Sequence, residues 1–226
     1  MHRSGTSALT RVLSLLGAAL PKHVLGADPG NETGYWEPEL LVSLHDRMLT
    51  EAGSSWDDWR KLDLEAQLPA GRLDFYKSEI ARLIVEEYGD APLIVLKDPR
   101  ICRFVALYFE VLDGLGISAC CIHSIRNPVA VAESLLRRNG LSSLFSQILW
   151  LRYELDAESA TRGKPRIFIS YDRLLDDWRH AIDSVVAKLK LFDLRSIEEA
   201  SSEIDTHLSI RQRHHTPDDT ALSTNQ

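Results

Sequence analysis

The 226-residue sequence lacks several features that would point to particular protein classes. No apolar run approaches the roughly 18 residues of a membrane-spanning helix, so we expect no membrane span. The first residues lack the apolar core of a secretory signal, and nothing in the chain directs export. With only Cys102, Cys120 and Cys121, a disulfide framework is excluded. We expect buried free thiols in a reducing compartment, which indicates a cytoplasmic protein.

Motifs for metal binding and for hydrolysis are also missing. His214 and His215 are adjacent, without the spacing of a closed zinc site, and no G-x-S-x-G motif is present. The formal charge of −7 argues against nucleic acid as a partner. A small anionic ligand stays possible, because local donors and helix ends decide its binding, whatever the net charge.

The sequence itself has the composition of a globular domain, 44% hydrophobic and 26% charged. Short apolar runs over 92–99, 117–128 and 165–172 predict strands. Between and after them, helical patterns cover 71–88, 101–112, 129–138, 142–161 and 180–191. This alternation predicts an α/β fold with a parallel sheet, whose ligands bind at the carboxyl ends of the strands. We expect one domain over residues 1–214 and a polar tail over 215–226.

The opening segment, "MHRSGTSALT", predicts a polar loop followed by an amphipathic helix. Leu9, Val12, Leu13 and Leu16 follow the i, i+3, i+4, i+7 rule, and Gly17 can end the helix. Backbone N–H groups at a helix N-terminus favour an anion such as phosphate or sulfate. The loop residues are Arg3, Ser4, Gly5, Thr6 and Ser7. The alternative is an ordinary helix capped by a Ser or Thr hydroxyl.

The same loop departs from the nucleotide-binding pattern G-x-x-x-x-G-K-[ST]. Gly5 and Ser7 match its second glycine and its hydroxyl, but Thr6 occupies the lysine position. In that pattern the lysine reaches the terminal phosphates and the hydroxyl holds magnesium. The basic residue here lies upstream, at Arg3, which disfavours ordinary phosphoryl transfer from ATP or GTP.

A second anion-binding pattern lies at the end of the predicted central strand. In "IHSIRNPVAVAESLLR", Arg126 ends the strand, Asn127 can cap a helix and Pro128 suits its first turn. Ser134 follows Arg126 by eight residues. An arginine can fork onto phosphate oxygens, and a hydroxyl one or two turns into the helix adds a donor. The alternative is a plain strand–helix junction with a surface arginine.

Together these two segments resemble the sulfotransferases that use 3′-phosphoadenylyl sulfate (PAPS). "HRSGTS" is similar to their 5′-phosphosulfate loop, and Arg126 with Ser134 matches the R-[DN]-P-x-x-x-x-x-S pattern that holds the 3′-phosphate. The family is related to the P-loop kinases, so the resemblance implies a three-layer sandwich with a central parallel sheet. A strand directly precedes the loop in that family, and we therefore expect residues missing before residue 1.

Two further segments extend the resemblance from His2 to about His215. "LKDPR" is similar to the Lys-Asp-Pro of the tyrosylprotein sulfotransferases, whose lysine assists the leaving group, a role that would fall on Lys97. The alternative is a turn with a solvated lysine. "HLSIRQRHH" (207–215) resembles a stretch near the C-terminus of bacterial members, and its arginines would contact the nucleotide.

The acceptor needs a base to take its proton. "GNETGYWEPELL" (30–41) resembles the Gly-Tyr-[Trp/Phe]-Glu motif of bacterial sulfotransferases, which makes Glu37 the candidate base. Glu32 and His45 are alternatives, and Glu37 is equally explained as a carboxylate at a helix N-terminus. Trp56 and Trp59 would either line an acceptor groove or close the core.

The resemblance implies transfer of a sulfuryl group from PAPS to a hydroxyl or amine, with 3′-phosphoadenosine 5′-phosphate (PAP) as product and no metal. Arg3, Glu37 and Lys97 would be catalytic. The acceptor would be a small molecule, a carbohydrate or a lipid. Two alternatives stay open: a divergent P-loop kinase using ATP and magnesium, and an inactive domain that binds a nucleotide or a partner protein.

Overall fold

The computed structural model describes residues 1–27, 31, 34–192 and 194–209. Within them the chain is a mixed α/β structure and mostly helical, so the α/β prediction is confirmed at that level. In the first half lie helices α1 (Thr6–Leu15), α2 (Glu39–Glu51), α3 (Leu64–Gln67), α4 (Arg72–Tyr88), a 3-10 helix (Pro99–Arg103) and α5 (Val105–Gly114). In the second half lie β1 (Cys121–Ile125), α6 (Pro128–Asn139), α7 (Ser143–Ala160), β2 (Arg166–Ser170), α8 (Tyr171–Asp176), α9 (Trp178–Leu189) and α10 (Ile197–His207).

The sheet of the described chain is smaller than the sequence predicts. Strands β1 and β2 are parallel and pair in register from Cys121 with Arg166 to Ile125 with Ser170. The predicted strand over 92–99 contributes a single parallel bridge, between Ile94 and Ala19. The strand prediction fails there because 92–99 is extended but makes no ladder with a described strand, and a strand needs such a partner.

Even so, residues 93–96 alternate between two hydrophobic cores. Leu93 and Val95 pack against the core formed by α1, α9 and α10, whereas Ile94 and Leu96 pack against the core of α2, α4 and α5. Alternation with period two is the side-chain pattern of a strand with a helical layer on each face. A third cluster joins α6 to α7 through Val131, Leu135, Leu149 and Tyr153.

Helix boundaries follow local signals where those exist. Asn127 caps α6 by accepting a hydrogen bond from the Val129 amide, and Pro128 is its first residue. The predicted helix over 101–112 is wrong at its start, because Asp98 and Pro99 begin a 3-10 helix and α5 starts only at Val105. The cysteine prediction is also wrong in part. The three thiols are free but none is fully buried: Cys120, before β1, is exposed, and Cys102 and Cys121 are partly buried.

Candidate functional site

The opening loop turns tightly before α1. Arg3 and Gly5 both have left-handed backbone conformations, with φ of 64° and 82°. Gly5 is the N-cap of α1, and within the described part of the chain no side-chain capping hydrogen bond is made at this end of the helix. The hydroxyl cap that could have explained this segment is therefore not formed, since the N-cap residue is a glycine without a side-chain acceptor.

The ring of Tyr171 closes against this turn. A Cβ atom added to Gly5 would lie 2.0 Å from Cδ2 of Tyr171, closer than any non-bonded contact allows. Glycine is thus required at position 5 for two reasons, its φ and its space. Tyr171 follows β2 directly, at the carboxyl end of the sheet. The centre of its ring also lies 4.9 Å from Cζ of the Arg126 guanidinium. The sequence analysis missed Tyr171, because it placed residue 171 inside the predicted strand over 165–172, whereas β2 ends at Ser170.

The two segments predicted to bind phosphate groups meet in space. Arg3 Nε donates to Ser134 Oγ at 2.7 Å, across 131 positions of sequence. Arg126 donates to the Arg3 carbonyl at 3.1 Å, and Ser124 Oγ donates to the Ser4 carbonyl at 2.6 Å. The end of β1 and the first turns of α6 therefore hold the opening loop in place.

Positive charge is concentrated at this junction. Burial lowers the pKa of Arg3, and the like charges of Arg138 and Arg126 lower it further. Burial also lowers the pKa of Arg126, and the like charge of Arg137 lowers it further. Each cation thus lies in the field of others, within a chain whose formal charge is −7. Such a local field favours an anion with several charges.

Lys97 connects the loop to the candidate base. Its Nζ donates to Ser7 Oγ at 3.1 Å, to the Tyr35 carbonyl at 2.8 Å and to Glu37 Oε1 at 2.5 Å. Both members of the Lys97–Glu37 pair are buried. Burial lowers the pKa of Lys97 and raises that of Glu37, in each case against the opposing effect of the partner. Arg100 lies 3.8 Å from the second Glu37 oxygen.

Glu37 owes its position to the short segment before α2. Leu25 donates to the Glu37 carbonyl at 2.8 Å and Glu39 donates to the His23 carbonyl at 2.9 Å, around an antiparallel bridge between Val24 and Pro38. The interpretation of Glu37 as a helix-capping carboxylate is not what the structure shows. Pro38 is the N-cap of α2, and the Glu37 carboxylate contacts Lys97.

His45 is fully buried and both of its ring nitrogens have partners. Nδ1 lies 2.7 Å from Asp98 Oδ2 and Nε2 lies 2.6 Å from the Tyr108 hydroxyl. Burial alone would raise the pKa of Asp98, but the hydrogen bond and charge of His45, together with Arg100, hold it well below its usual value. In this arrangement both ring nitrogens are occupied by partners within the core. His45 holds Asp98, the residue next to Lys97.

The other predicted residues lie in or beside the opening loop, elsewhere in the chain, or outside the described residues. Trp56 packs edge-on against His2 at 4.8 Å, and Trp59 is half exposed. The Ser4 hydroxyl is buried without a hydrogen bond among the described residues, and Thr6 begins α1. Glu32, the arginines of the 207–215 segment, the adjacent histidines and the polar tail all lie outside the described residues.

Comparison with protein-family models, with curated proteins and with solved structures finds no match for this chain. Across the described residues, no group of three or more His, Cys, Asp or Glu side chains could hold a metal ion. In the same part of the chain, no helix is both long and apolar enough to cross a membrane.

Proposed function

We propose that this chain is a sulfotransferase, which moves a sulfuryl group from PAPS to a hydroxyl or amine and leaves PAP. The observation that carries the proposal is the contact between Arg3 Nε and Ser134 Oγ at 2.7 Å. The opening loop resembles a phosphosulfate loop, and the Arg126–Ser134 motif, far away in sequence, resembles a 3′-phosphate site. A single nucleotide can contact both segments only if they are adjacent in space, and the Arg3–Ser134 contact makes them adjacent.

We also propose the P-loop type of three-layer fold. The parallel pair β1–β2 supports it, as does the alternation of residues 93–96 between two helical cores. In such folds anions bind where a strand gives way to a helix N-terminus. Arg126 lies between β1 and α6, which supports such a site there. The opening loop directly precedes α1, and Lys97 lies between the extended 93–96 segment and the 3-10 helix.

The nucleotide would be held at two points. The amides at the start of α1, with Arg3 and the loop residues up to Ser7, would bind the 5′-phosphosulfate. Arg126 and Ser134 would bind the 3′-phosphate with charge-assisted bonds, which selects PAPS over ATP. PAPS supplies the activated sulfuryl group. The protein supplies position and charge.

Transfer breaks the S–O bond to the phosphate and forms a new S–O or S–N bond to the acceptor. Glu37 would take the acceptor proton, and burial raises its pKa toward the operating pH, as a general base requires. Lys97 and Arg3 would stabilise the negative charge that develops on the phosphate oxygen as sulfur leaves. Because Lys97 contacts both Ser7 and Glu37, one cation lies between the donor loop and the base.

Fixed cations make a metal unnecessary in this scheme, because a sulfuryl group carries less charge than a terminal phosphoryl group. The test is radiolabelled sulfate transfer from PAPS to a panel of sugar, lipid and phenol acceptors in excess EDTA. We expect transfer to persist with chelator and to be nearly abolished by Arg3→Ala. Arg162→Ala is the control, because its exposed guanidinium pairs with Glu158 on α7. Strict magnesium dependence, or transfer only from the γ-phosphate of ATP, would replace the proposal with the kinase alternative.

A further inference from the structure

The segment that carries the candidate base turns sharply at Trp36. The backbone φ of Trp36 is 58°, in the left-handed region, which is unfavourable for a residue with a bulky side chain. Among the described residues, the other non-glycine residues with positive φ are Arg3 and Lys190. Lys190 ends α9, where this conformation is common, whereas Arg3 lies in the opening loop. Trp36 is thus, like Arg3, an outlier within the candidate site, and such conformations persist where the surroundings enforce them.

The turn at Trp36 directs two groups to one ammonium. The Tyr35 carbonyl, directly before Trp36, accepts from Lys97 Nζ at 2.8 Å. The Glu37 carboxylate, directly after Trp36, accepts from the same atom at 2.5 Å. In an extended strand the carbonyls lie in the plane of the sheet and the side chains project perpendicular to it. The left-handed residue between them therefore provides the turn that lets a carbonyl and a side chain meet at Lys97.

The Trp36 indole is anchored on helix α1. Arg11 Cζ lies 4.6 Å from the centre of the ring, which is a cation–π contact. Arg11 also donates to Ser14 Oγ on the same helix at 3.2 Å. The ring packs closely against the backbone at Gly34, where an added Cβ atom would lie 3.4 Å from indole Cε2. Indole Nε1 is buried and makes no hydrogen bond within the described part of the chain, so contacts of the ring hold this side chain in place.

One face of α1 holds both the turn and the lysine. Ser7 and Arg11 are four residues apart, so their side chains lie one helical turn apart on the same face. Ser7 Oγ accepts from Lys97, and Arg11 covers the Trp36 ring. Helix α1 therefore fixes the 35–37 turn at two points. Because the opening loop directly precedes this helix, the loop and the candidate base share one support.

We propose that Trp36 is a positioning residue of the candidate site, with Arg11 as its anchor. It keeps the Tyr35 carbonyl and the Glu37 carboxylate on Lys97, and so keeps the base in register with the opening loop. Without the ring, the backbone at position 36 should relax toward an ordinary negative φ, and the carboxylate should turn away from the ammonium. The catalytic consequence rests on the proposed function. The structural consequence, an ammonium held by three acceptors, does not.

Chemical labelling tests the structural consequence without any activity. Acetic anhydride should acetylate the buried Lys97 slowly, and mass spectrometry compares it with the exposed Lys188 on α9. Labelling of a buried amine requires local opening, so Trp36→Ala should raise the relative rate at Lys97 about threefold or more. Trp36→Phe keeps an aromatic ring and should stay near the wild type. Phe75→Ala is the matched control, since the Phe75 ring also lies beside an arginine, 4.2 Å from Arg72 Cζ on α4.

Steady-state kinetics test the catalytic consequence. With any acceptor that supports transfer, Trp36→Ala should lower kcat about tenfold or more and change KM for PAPS less than about twofold, because a misplaced base costs rate rather than binding. Trp36→Phe should restore kcat. Arg11→Met, which removes the charge and keeps the length of the side chain, should lower kcat and expose Lys97 in the same direction as Trp36→Ala and by less. Circular dichroism checks that each variant is folded, and Arg11→Met decides the question if Trp36→Ala is not.

Three results would overturn the proposal. They are unchanged labelling of Lys97 in folded Trp36→Ala, an equal rise in Phe75→Ala, and a kcat of Trp36→Phe as low as that of Trp36→Ala. Faster labelling of Lys97 in a protein that sulfates no acceptor would be a different outcome. It would support Trp36 as the residue that holds the turn and would reject the sulfotransferase proposal.

Discussion

The clearest test of the loop geometry is Gly5→Ala, because the structure predicts two separable penalties. An L-residue at φ 82° costs about 1–2 kcal/mol in the left-handed region. A Cβ atom 2.0 Å from Cδ2 of Tyr171 forces the ring or the loop to move, and overpacking of this kind costs about 1–3 kcal/mol. We therefore expect Gly5→Ala to lower the free energy of unfolding by about 2–5 kcal/mol.

Gly163→Ala provides the matched control. Gly163 has a φ of 76°, and a Cβ atom there would meet nothing within 4 Å. It should therefore show only the conformational penalty, about 1–2 kcal/mol. Urea unfolding followed by circular dichroism and tryptophan fluorescence gives the free energy of each variant. Equal losses for the two glycine variants would refute the steric argument.

A double-mutant cycle isolates the contact itself. Tyr171→Ala removes the ring, so Gly5→Ala in that background should keep its conformational penalty and lose its steric one. The expected coupling is about 1–3 kcal/mol, well above the roughly 0.5 kcal/mol within which independent sites add. Additive losses would mean that Tyr171 does not close against the loop. PAP binding offers a second readout, since only variants that move the loop should weaken it.

The remaining predictions concern the proposed ligand site and one buried histidine. Arg126→Ala should weaken PAP by roughly 1.5–3 kcal/mol and AMP far less, because only PAP has a 3′-phosphate; isothermal titration of both ligands checks this, and equal weakening would move Arg126 away from that phosphate. Ser134→Ala should act in the same direction and by less. Glu37→Gln should leave PAP affinity nearly unchanged and reduce turnover about 10²-fold or more; if turnover survives, Glu37 is structural. Burial, reinforced by Arg166, lowers the pKa of His123 to about 4, so the unfolded chain, with a histidine pKa near 6.5, binds the proton first. Stability should thus fall as pH decreases from about 6.5 toward 4. Urea unfolding midpoints measured at pH 7.5 and pH 5 should differ less for His123→Gln than for the wild type. An equal difference in the two proteins would contradict this role of His123.

How far the sequence predicts the fold depends on whether the signal is local. The predicted helix over 129–138 is found as Pro128–Asn139, because Asn127 and Pro128 encode its start within three residues. The predicted helix over 180–191 begins two residues earlier, at Trp178, since Asp177 accepts the capping hydrogen bond from His180. By contrast, the 92–99 segment needs partners from elsewhere in the chain, and apolar composition alone does not show whether a full ladder forms.

For the candidate site too, the sequence shows local patterns but not the contacts between distant segments. Sequence patterns select Arg3, Lys97 and Ser134 as separate residues, but they do not show that Arg3 bonds Ser134 or that Lys97 bonds the Tyr35 carbonyl. Those contacts join positions 131 and 62 residues apart, and they depend on how the helices pack. Tyr171 escaped notice for a related reason, since its role comes from the space beside Gly5 and from no motif.

Next to Lys97 lies the buried His45–Asp98 pair, whose burial reduces stability but which orients the residues around it. Taking Asp98 and His45 out of water is unfavourable, and a well-packed apolar pair of similar volume would often be as stable. The pair nevertheless orients its neighbour. Asp98 accepts from His45 at 2.7 Å and from the Arg100 amide at 2.9 Å, which fixes the start of the 3-10 helix immediately after Lys97. Because the backbone directly after Lys97 is fixed, the Lys97 ammonium is held where it contacts both Ser7 and Glu37. Under the proposed function, a buried charge pair placed there would supply the preorganisation that electrostatic stabilisation of a leaving group requires.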